Sequence, residues 1–380
     1  MNKIALFGST GSIGKSTLDV VASLEDFRVA AISGHRDLRT LQEQAWRFHP
    51  RWVVATDTAA AGDFSWALPP GTELLTGCKY LEDVAQSPEV GTVVSAIVGR
   101  AGLESTVAAV RAGKRVALAN KESLVVGGEI VTRLAKRTGA EIIPVDSEHS
   151  AIFQALQAGR REELLRIILT ASGGAFRTLP DSELSRVTPE AALRHPTWNM
   201  GAKVTLDSAT LMNKALEIIE ARWLFDLRPG EISVMIHPQS VIHSLVEFLD
   251  GAVIAQLSPP DMRLPIQYAL TYPRRLPGGP AKRMDWTRDQ TLEFFSPDVS
   301  RPRYEAISLG LQVAHTGGTA GVVLNAANEV AVDAFCKGKL SFDRIVPFVR
   351  ETLERHAFSA EPTLEELVAL DEEVRGRMDN

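Results

Sequence analysis

Cysteine is nearly absent: Cys78 and Cys336 are the only two in 380 residues. Their number and separation argue against a disulfide framework or a thiolate metal cluster and fit a reducing compartment. Long apolar runs are missing too. No window reaches the roughly 18 apolar residues of a membrane span, and the N-terminus "MNKIALFGST" lacks the apolar stretch of a signal peptide. The expectation is a cytoplasmic protein with no membrane partner. A concentrated Lys/Arg face is also lacking, and the formal net charge is -6. Binding to nucleic acid requires such a face to neutralise phosphates, so no nucleic-acid partner is expected. Small anions remain possible ligands wherever local donors receive them. No internal repeat or low-complexity tract occurs.

What is present is the balance of a globular chain, with 45% hydrophobic and 23% charged residues. At roughly 100 to 200 residues per domain, two or three domains are expected. From Lys3 to Asp146, "KIALF", "RVAAIS", "WVVAT", "TVVSAIVG", "RVALAN" and "EIIPVD" read as strands, most of them separated by segments at helical spacing. Strands apolar on both faces and alternating with amphipathic helices predict an α/β domain with a Rossmann-like, doubly wound parallel sheet over residues 1–150. A central α+β domain is expected over 151–286, with "LLRIILTAS" and "SVMIHPQSVIHSLVEFLDGAVIAQLS" as its strands. Proline-rich stretches mark 287–303 as a linker, because proline neither donates to a ladder nor continues a helix. Helical periodicity over 304–380 predicts a C-terminal helical bundle domain.

The first strand leads into "GSTGSIGKS", which sets Gly8, Gly11 and Gly14 between a strand and a helix. Glycines there allow a tight turn and close approach of a pyrophosphate to the helix N-terminus. The spacing is GxxGxxG rather than GxGxxG, and an ordinary turn is the alternative. The second strand ends in Gly34, His35 and Arg36, where an acid would hold a ribose 2′-hydroxyl. Arg36 suits a 2′-phosphate and favours NADPH over NADH. The neighbouring Asp37 leaves the choice open.

"PVDSEHSA" places Asp146 and Glu148 at the carboxyl end of the strand "EIIPVD". If the chain stays extended, both acids share a face and repel unless a proton or a divalent cation lies between them. An oxygen-only set suits Mg²⁺ or Mn²⁺. The alternative is that they cap a helix beginning near His149. Further on, "LMNKALEIIEARWLF" sets Asn213, Lys214 and Glu217 within about one helical turn, which reads either as a site or as a solvated salt-bridge face. His237 and His243 are too far apart on an extended run to share a metal and are read as structural or interfacial.

Eight blocks occur in order: "GSTGSIG", "ALANKESLV", "PVDSEHSA", "ASGGAF", "HPTWNMG", "KVTLDSATLMNKALE", "IHPQSVIHSLVEF" and "PDMRLPIQYAL". Together with "VLNAANEVAV" in the tail, they resemble the 1-deoxy-D-xylulose 5-phosphate reductoisomerase family. That resemblance implies a homodimeric enzyme of the methylerythritol phosphate route to isoprenoids, dependent on NADPH and on Mg²⁺ or Mn²⁺. Its substrate would be a sugar phosphate, which it rearranges and then reduces to 2-C-methyl-D-erythritol 4-phosphate.

By motif, the resemblance implies Asp146, Glu148 and Glu217 as metal ligands, with Lys121 and Ser147 beside the substrate. Lys121, Glu148 and His195 are the implied catalytic residues. Ser172, Ser208, Asn213 and Lys214 match the phosphate-binding positions, while His195, Trp198 and Met200 match a flap that closes over substrate. Cofactor contacts fall to Gly8, Thr10, Gly11, Ser12, Ile13, Gly34, His35, Arg36, Asn120, Glu122 and Met262, with Met262 as core filler the alternative. His149 is left to a supporting or capping role. The sequence departs from the family's pattern at "SGHRD" and at Ser258 and Pro259. Retro-aldol cleavage with re-addition and an α-ketol shift both need the same metal, and the sequence does not separate them. Two rivals stay open: a metal-free dehydrogenase and a non-catalytic NADPH sensor.

Overall fold

The computed structural model describes residues 2–198, 200–277 and 279–376. The chain divides into two compact units. The first comprises Met1–Ser123, Val131–Ser150 and Asp261–Lys282, and the second Leu124–Ile130, Ala151–Pro260 and Arg283–Asn380.

In the first unit, seven strands form one sheet: β1 (Asn2–Phe7), β2 (Phe27–Gly34), β3 (Trp52–Ala55), β4 (Glu73–Thr76), β5 (Thr92–Ser95), β6 (Arg115–Leu118) and β7 (Glu141–Pro144). Their order is β4-β3-β2-β1-β5-β6-β7, and every pairing is parallel. The order reverses between β1 and β5, which opens a crevice at the carboxyl ends of these strands where ligands bind in such sheets. Ile4, Leu6, Phe7, Val93 and Val94 are fully buried, the consequence of helices covering both faces of a parallel sheet. The expected strands are present. β4, with the short sequence "ELLT", is an additional one at the edge of the sheet. Helix Arg263–Thr271, distant in sequence, packs on helix Ser12–Ala22 and so belongs to this unit. It lies within the span read as the central domain.

The second unit contains a four-stranded mixed sheet of β8 (Leu164–Ala171), β9 (Ile232–Ile236), β10 (Ile242–Phe248) and β11 (Val253–Leu257), in the order β11-β10-β8-β9. β8 and β9 are parallel, while β10 is antiparallel to both of its neighbours. Helix Met212–Leu224 packs against helix Glu305–Thr316, where Gly310 lets the backbones meet: a Cβ on Gly310 would lie 2.6 Å from Ala215 Cα. Helix Ala320–Cys336 is buried along most of its length and contacts helices Ile345–Glu354 and Leu364–Gly376. Residues 124–130, from the middle of the helix Glu122–Thr138, also belong to this unit. The reason is local packing, since Gly128 abuts the Trp223 ring and Gly321 abuts the Val125 carbonyl.

Candidate active site

In the first unit, the glycine turn is built as its spacing predicts. Gly8 has φ +85°, and a Cβ there would lie 2.5 Å from the Ala96 carbonyl oxygen. A Cβ on Gly14 would collide with the carbonyls of Gly8 and Ser9. Gly11 faces only the Gly8 carbonyl, and it and Ser12 are exposed at the tip of the turn. Thr10 packs beneath, where its methyl would lie 3.2 Å from a Cβ on Gly34; Thr10 and Ile13 are half-buried. Helix Ser12–Ala22 begins at this turn, and among the described residues no side chain caps it, which leaves its first N–H groups open to an anion.

A buried network missed by the sequence reading holds this turn. The Gly8 N–H donates to Ser33 Oγ at 2.9 Å, Ser9 Oγ donates to Gln44 Oε1 at 2.6 Å, and Gln44 Nε2 donates back to the Ser9 carbonyl at 2.9 Å. Gln44 was legible in principle, because it is a polar residue between Leu41 and Ala45 on the buried face of helix Leu38–Phe48.

At the end of β2, the Arg36 side chain is 80% exposed and pairs with Asp57 at 3.2 Å. His35 Nδ1 lies 3.0 Å from Thr56 Oγ1. Asp37 accepts the Thr40 N–H at 3.2 Å as the cap of its helix, so the carboxylate that left the cofactor choice open is occupied locally. Asn120 is buried, and its amide donates to the Ile97 and Gly99 carbonyls at 2.6 and 2.8 Å while its Oδ1 accepts the Ser123 N–H at 2.9 Å. This side chain therefore pins the loop after β5. Glu122 is buried beside it, at 3.2 Å from the Asn120 amide. Met262 is half-buried at the start of helix Arg263–Thr271.

Past β7 the backbone does not stay extended. Helix Ser147–Ala155 starts at once, and Asp146 caps it: its carboxylate accepts the Glu148 N–H at 3.2 Å, and its carbonyl accepts the Ser150 N–H at 2.8 Å. Asp146 and Glu148 thus share the first turn of a helix rather than one face of a strand. Lys121 Nζ lies 2.5 Å from the Asp146 carboxylate, and the fully buried His149 lies 3.5 Å from it. Burial alone would push the Asp146 carboxyl up, but the Lys121 ammonium and the His149 imidazole outweigh it and hold it well below the usual carboxylate range. Ser147 Oγ donates to Glu148.

In the second unit, β8 runs into the turn Ser172–Gly173–Gly174, where both glycines have positive φ, +85° and +72°. Ser172 Oγ accepts the Gly174 N–H at 3.2 Å. A Cβ on Gly174 would collide with the Ser208 carbonyl and lie 2.8 Å from Ala209 Cα, so the turn lies directly on helix Ala202–Thr210. Leu211, at φ +62°, then joins that helix to Met212–Leu224, whose first turn carries Asn213 and Lys214. The Ser208 hydroxyl donates to the Val204 carbonyl at 2.8 Å within its own helix. Asn213 Nδ2 donates to Glu217 at 2.5 Å, and Lys214 pairs with the same carboxylate. Lys214 and Glu217 are 2% and 1% exposed, so the helix face is not a solvated salt bridge.

His195 Nε2 lies 3.0 Å from Ser172 Oγ, while its Nδ1 faces the N–H groups of Trp198 and Thr197 at 2.9 and 3.2 Å. Two donors aimed at Nδ1 place the ring proton on Nε2. Burial also pushes the imidazole below the usual histidine range. The Trp198 ring lies 5.9 Å from His243, whose Nε2 is 2.9 Å from Ser258 Oγ. His237 is fully buried, with Nδ1 2.9 Å from the Glu293 carbonyl and Nε2 accepting the Val241 and Ile242 N–H groups at 3.2 Å. Both histidines are buried and hydrogen-bonded within the second unit.

Three family models match in chain order: 1-deoxy-D-xylulose 5-phosphate reductoisomerase over residues 4–128, the C-terminal domain of that enzyme over 142–225, and the DXP reductoisomerase C-terminal domain over 257–377. The 1-deoxy-D-xylulose 5-phosphate reductoisomerase of Pelotomaculum thermopropionicum is 49% identical, over 99% of this chain and 97% of its own. That of Rhodopirellula baltica is 47% identical, over 99% and 94%. A crystal structure of DOX-P reductoisomerase in complex with NADPH, fosmidomycin and magnesium superposes with a TM-score of 0.91 at 38% identity, covering 100% of this chain and 98% of that one. The Zymomonas mobilis enzyme in complex with NADPH gives 0.91 at 40% identity, covering 99% and 97%. On these matches, which run through both units, the chain belongs to the 1-deoxy-D-xylulose 5-phosphate reductoisomerase family.

Proposed function

We propose that the protein rearranges and reduces 1-deoxy-D-xylulose 5-phosphate to 2-C-methyl-D-erythritol 4-phosphate in the methylerythritol phosphate pathway, using NADPH and a divalent cation. The observation that carries this reading is a likeness of 47–49% identity along nearly the whole chain to enzymes of that name. The relatives' complexes with NADPH and with magnesium support the cofactors. We assign the pyrophosphate to the turn of Gly8, Thr10, Gly11, Ser12 and Ile13, and the adenosine end, with its 2′-phosphate, to Gly34, His35 and Arg36. The nicotinamide falls to Met262 and to the loop fastened by Asn120 and Glu122. When bound, NADPH supplies the hydride.

Asp146, Glu148 and Glu217 are assigned as metal ligands. Their chemistry fits Mg²⁺ or Mn²⁺, since all three offer carboxylate oxygen. When bound, the cation supplies Lewis acidity at the substrate's ketone and hydroxyl oxygens. Lys121, with its ammonium on Asp146, is placed to orient substrate and move a proton, and Ser147 contacts the same end. Ser172, Ser208, Asn213 and Lys214 bind the phosphate. His195 and Trp198, with Met200, cover the substrate and exclude water.

The test is to mix purified protein, 1-deoxy-D-xylulose 5-phosphate, NADPH and Mg²⁺ and to follow NADPH absorbance. Loss of absorbance that requires both the sugar phosphate and the cation is expected. Glu217→Gln should cut kcat/KM on the order of 10²-fold or more, beyond what supporting residues around a metal contribute. Turnover surviving EDTA would instead favour a metal-free dehydrogenase, and no sugar phosphate-dependent oxidation would favour a sensor.

We further propose a cytoplasmic homodimer. β11 is an edge strand whose Val253 and Ile254 are 48% and 37% exposed, with Leu249 at 64% just before it, and an apolar open edge is a template for pairing with a second chain. Light scattering should return twice the chain mass of 41.3 kDa; a monomer at micromolar concentration would refute this.

A further inference from the structure

The proposed phosphate-binding Ser208 stands on a helix of nine residues, Ala202–Thr210. One face of that helix meets apolar residues. Leu206 lies in a buried cluster with Ala331, Val332 and Phe335. Contacts of this kind are non-directional and tolerate small slides and rotations of one helix on another. Yet the residue immediately before Ser208 is a carboxylate, and it points inward. Asp207 is 1% exposed, and its Oδ1 accepts from Nδ2 of Asn328, itself 0% exposed on helix Ala320–Cys336, at 2.8 Å. Its Oδ2 pairs with Lys203 Nζ at 2.9 Å, four residues back on its own helix. The Asn328 amide is oriented by this contact, because its Oδ1 against a carboxylate would set acceptor against acceptor. Among the described residues, that Oδ1 has no hydrogen-bond partner.

A buried carboxylate costs stability unless fully met, and an orphaned amide oxygen adds to that cost. An apolar pair would serve packing better. What the polar pair adds is direction: an Asp–Asn bond closes in one register and one rotation of helix Ala202–Thr210 only. Fixing Asp207 fixes Ser208 beside it against the Gly174 backbone, and it also fixes Gly201, where the segment carrying Trp198 enters the helix. We infer that Asp207, clamped by Asn328 and Lys203, is the positioning residue of the phosphate pocket. It sets Ser208 and the base of the His195–Met200 segment without touching substrate. This inference rests on the function proposed above.

The experiment compares wild type with Asn328→Ala and the double variant Asp207→Leu/Asn328→Leu. Readouts are KM for the sugar phosphate, KM for NADPH, kcat and the urea midpoint. Asn328→Ala is expected to raise KM for the sugar phosphate about tenfold, leaving kcat within about twofold and KM for NADPH unchanged, at a lowered urea midpoint. The double variant removes both polar partners, so its urea midpoint should return toward wild type while KM for the sugar phosphate stays high. Recovery of that KM together with stability would reduce the pair to packing and overturn the inference. So would an unchanged KM in Asn328→Ala. Should Asn328→Ala not fold, the double variant decides, because it leaves no buried polar group unpaired: a raised KM for the sugar phosphate alone supports the clamp and an unchanged one removes it. Wild type that oxidises no NADPH with the sugar phosphate would overturn the proposed function itself, separately from these comparisons.

Discussion

At the residue scale, His195 shows how much chemistry hangs on one proton. Its Nδ1 is an acceptor for two backbone N–H groups, and its Nε2 faces Ser172. A second proton, on Nδ1, would set three donors against one another and release the turn at Thr197 and Trp198. Because burial holds the imidazole below the ordinary histidine range, it is neutral at pH 7. The ordering it provides is present above the unfolded-state value and is lost as pH falls through the lower folded value. Affinity for the sugar phosphate should therefore weaken on acidification, with a titration on the acid side of an ordinary histidine that His195→Asn removes. Calorimetric titrations of both proteins across pH 5 to 8 check this. The pairing of His195 with Ser172 was not readable from spacing, since they stand 23 positions apart across loop and helix. The cap role of Asp37 was hidden differently. An acid after a strand reads equally as ribose ligand and as helix cap, and only the Thr40 N–H decides.

At the scale of elements, the strand–turn–helix at the N-terminus was legible because glycine spacing reports backbone geometry directly. Gly14 is the most demanding of the three: its hydrogen faces two carbonyls. Gly14→Ala should cost about 3 kcal/mol or more through backbone overpacking, and should abolish NADPH binding before it abolishes folding. Urea unfolding alongside fluorescence titration of NADPH measures both. Elsewhere the reading by period ran short. β4 has four residues, too few for alternation to register, and its burial is only partial. The extended path expected past β7 gives way to a helix because Asp146 satisfies that helix's first N–H groups. The same residue thereby serves as cap and as candidate ligand, two readings that the sequence alone set against each other.

At the scale of the whole molecule, neither unit is a continuous stretch, and the chain passes between them five times, after residues 123, 130, 150, 260 and 282. Sequence patterns mark where strands and helices begin, but they carry no direct sign of which distant helix will close a layer. Helix Arg263–Thr271 covering helix Ser12–Ala22 was invisible for that reason. A fragment of residues 1–150 should accordingly expose the apolar face of Ser12–Ala22. It is expected to bind a hydrophobic dye and aggregate, whereas joining 261–282 to it through a flexible linker should restore a cooperative melt. Equal behaviour of the two fragments would contradict the assignment of 261–282 to this unit.

The late return of Arg263–Thr271 bears on synthesis as well. At 5–20 residues per second, a ribosome needs on the order of ten seconds to travel from residue 150 to residue 282. Through that interval the nascent seven-stranded sheet stands with one of its covering helices still untranslated, a window in which chaperones have an apolar face to hold.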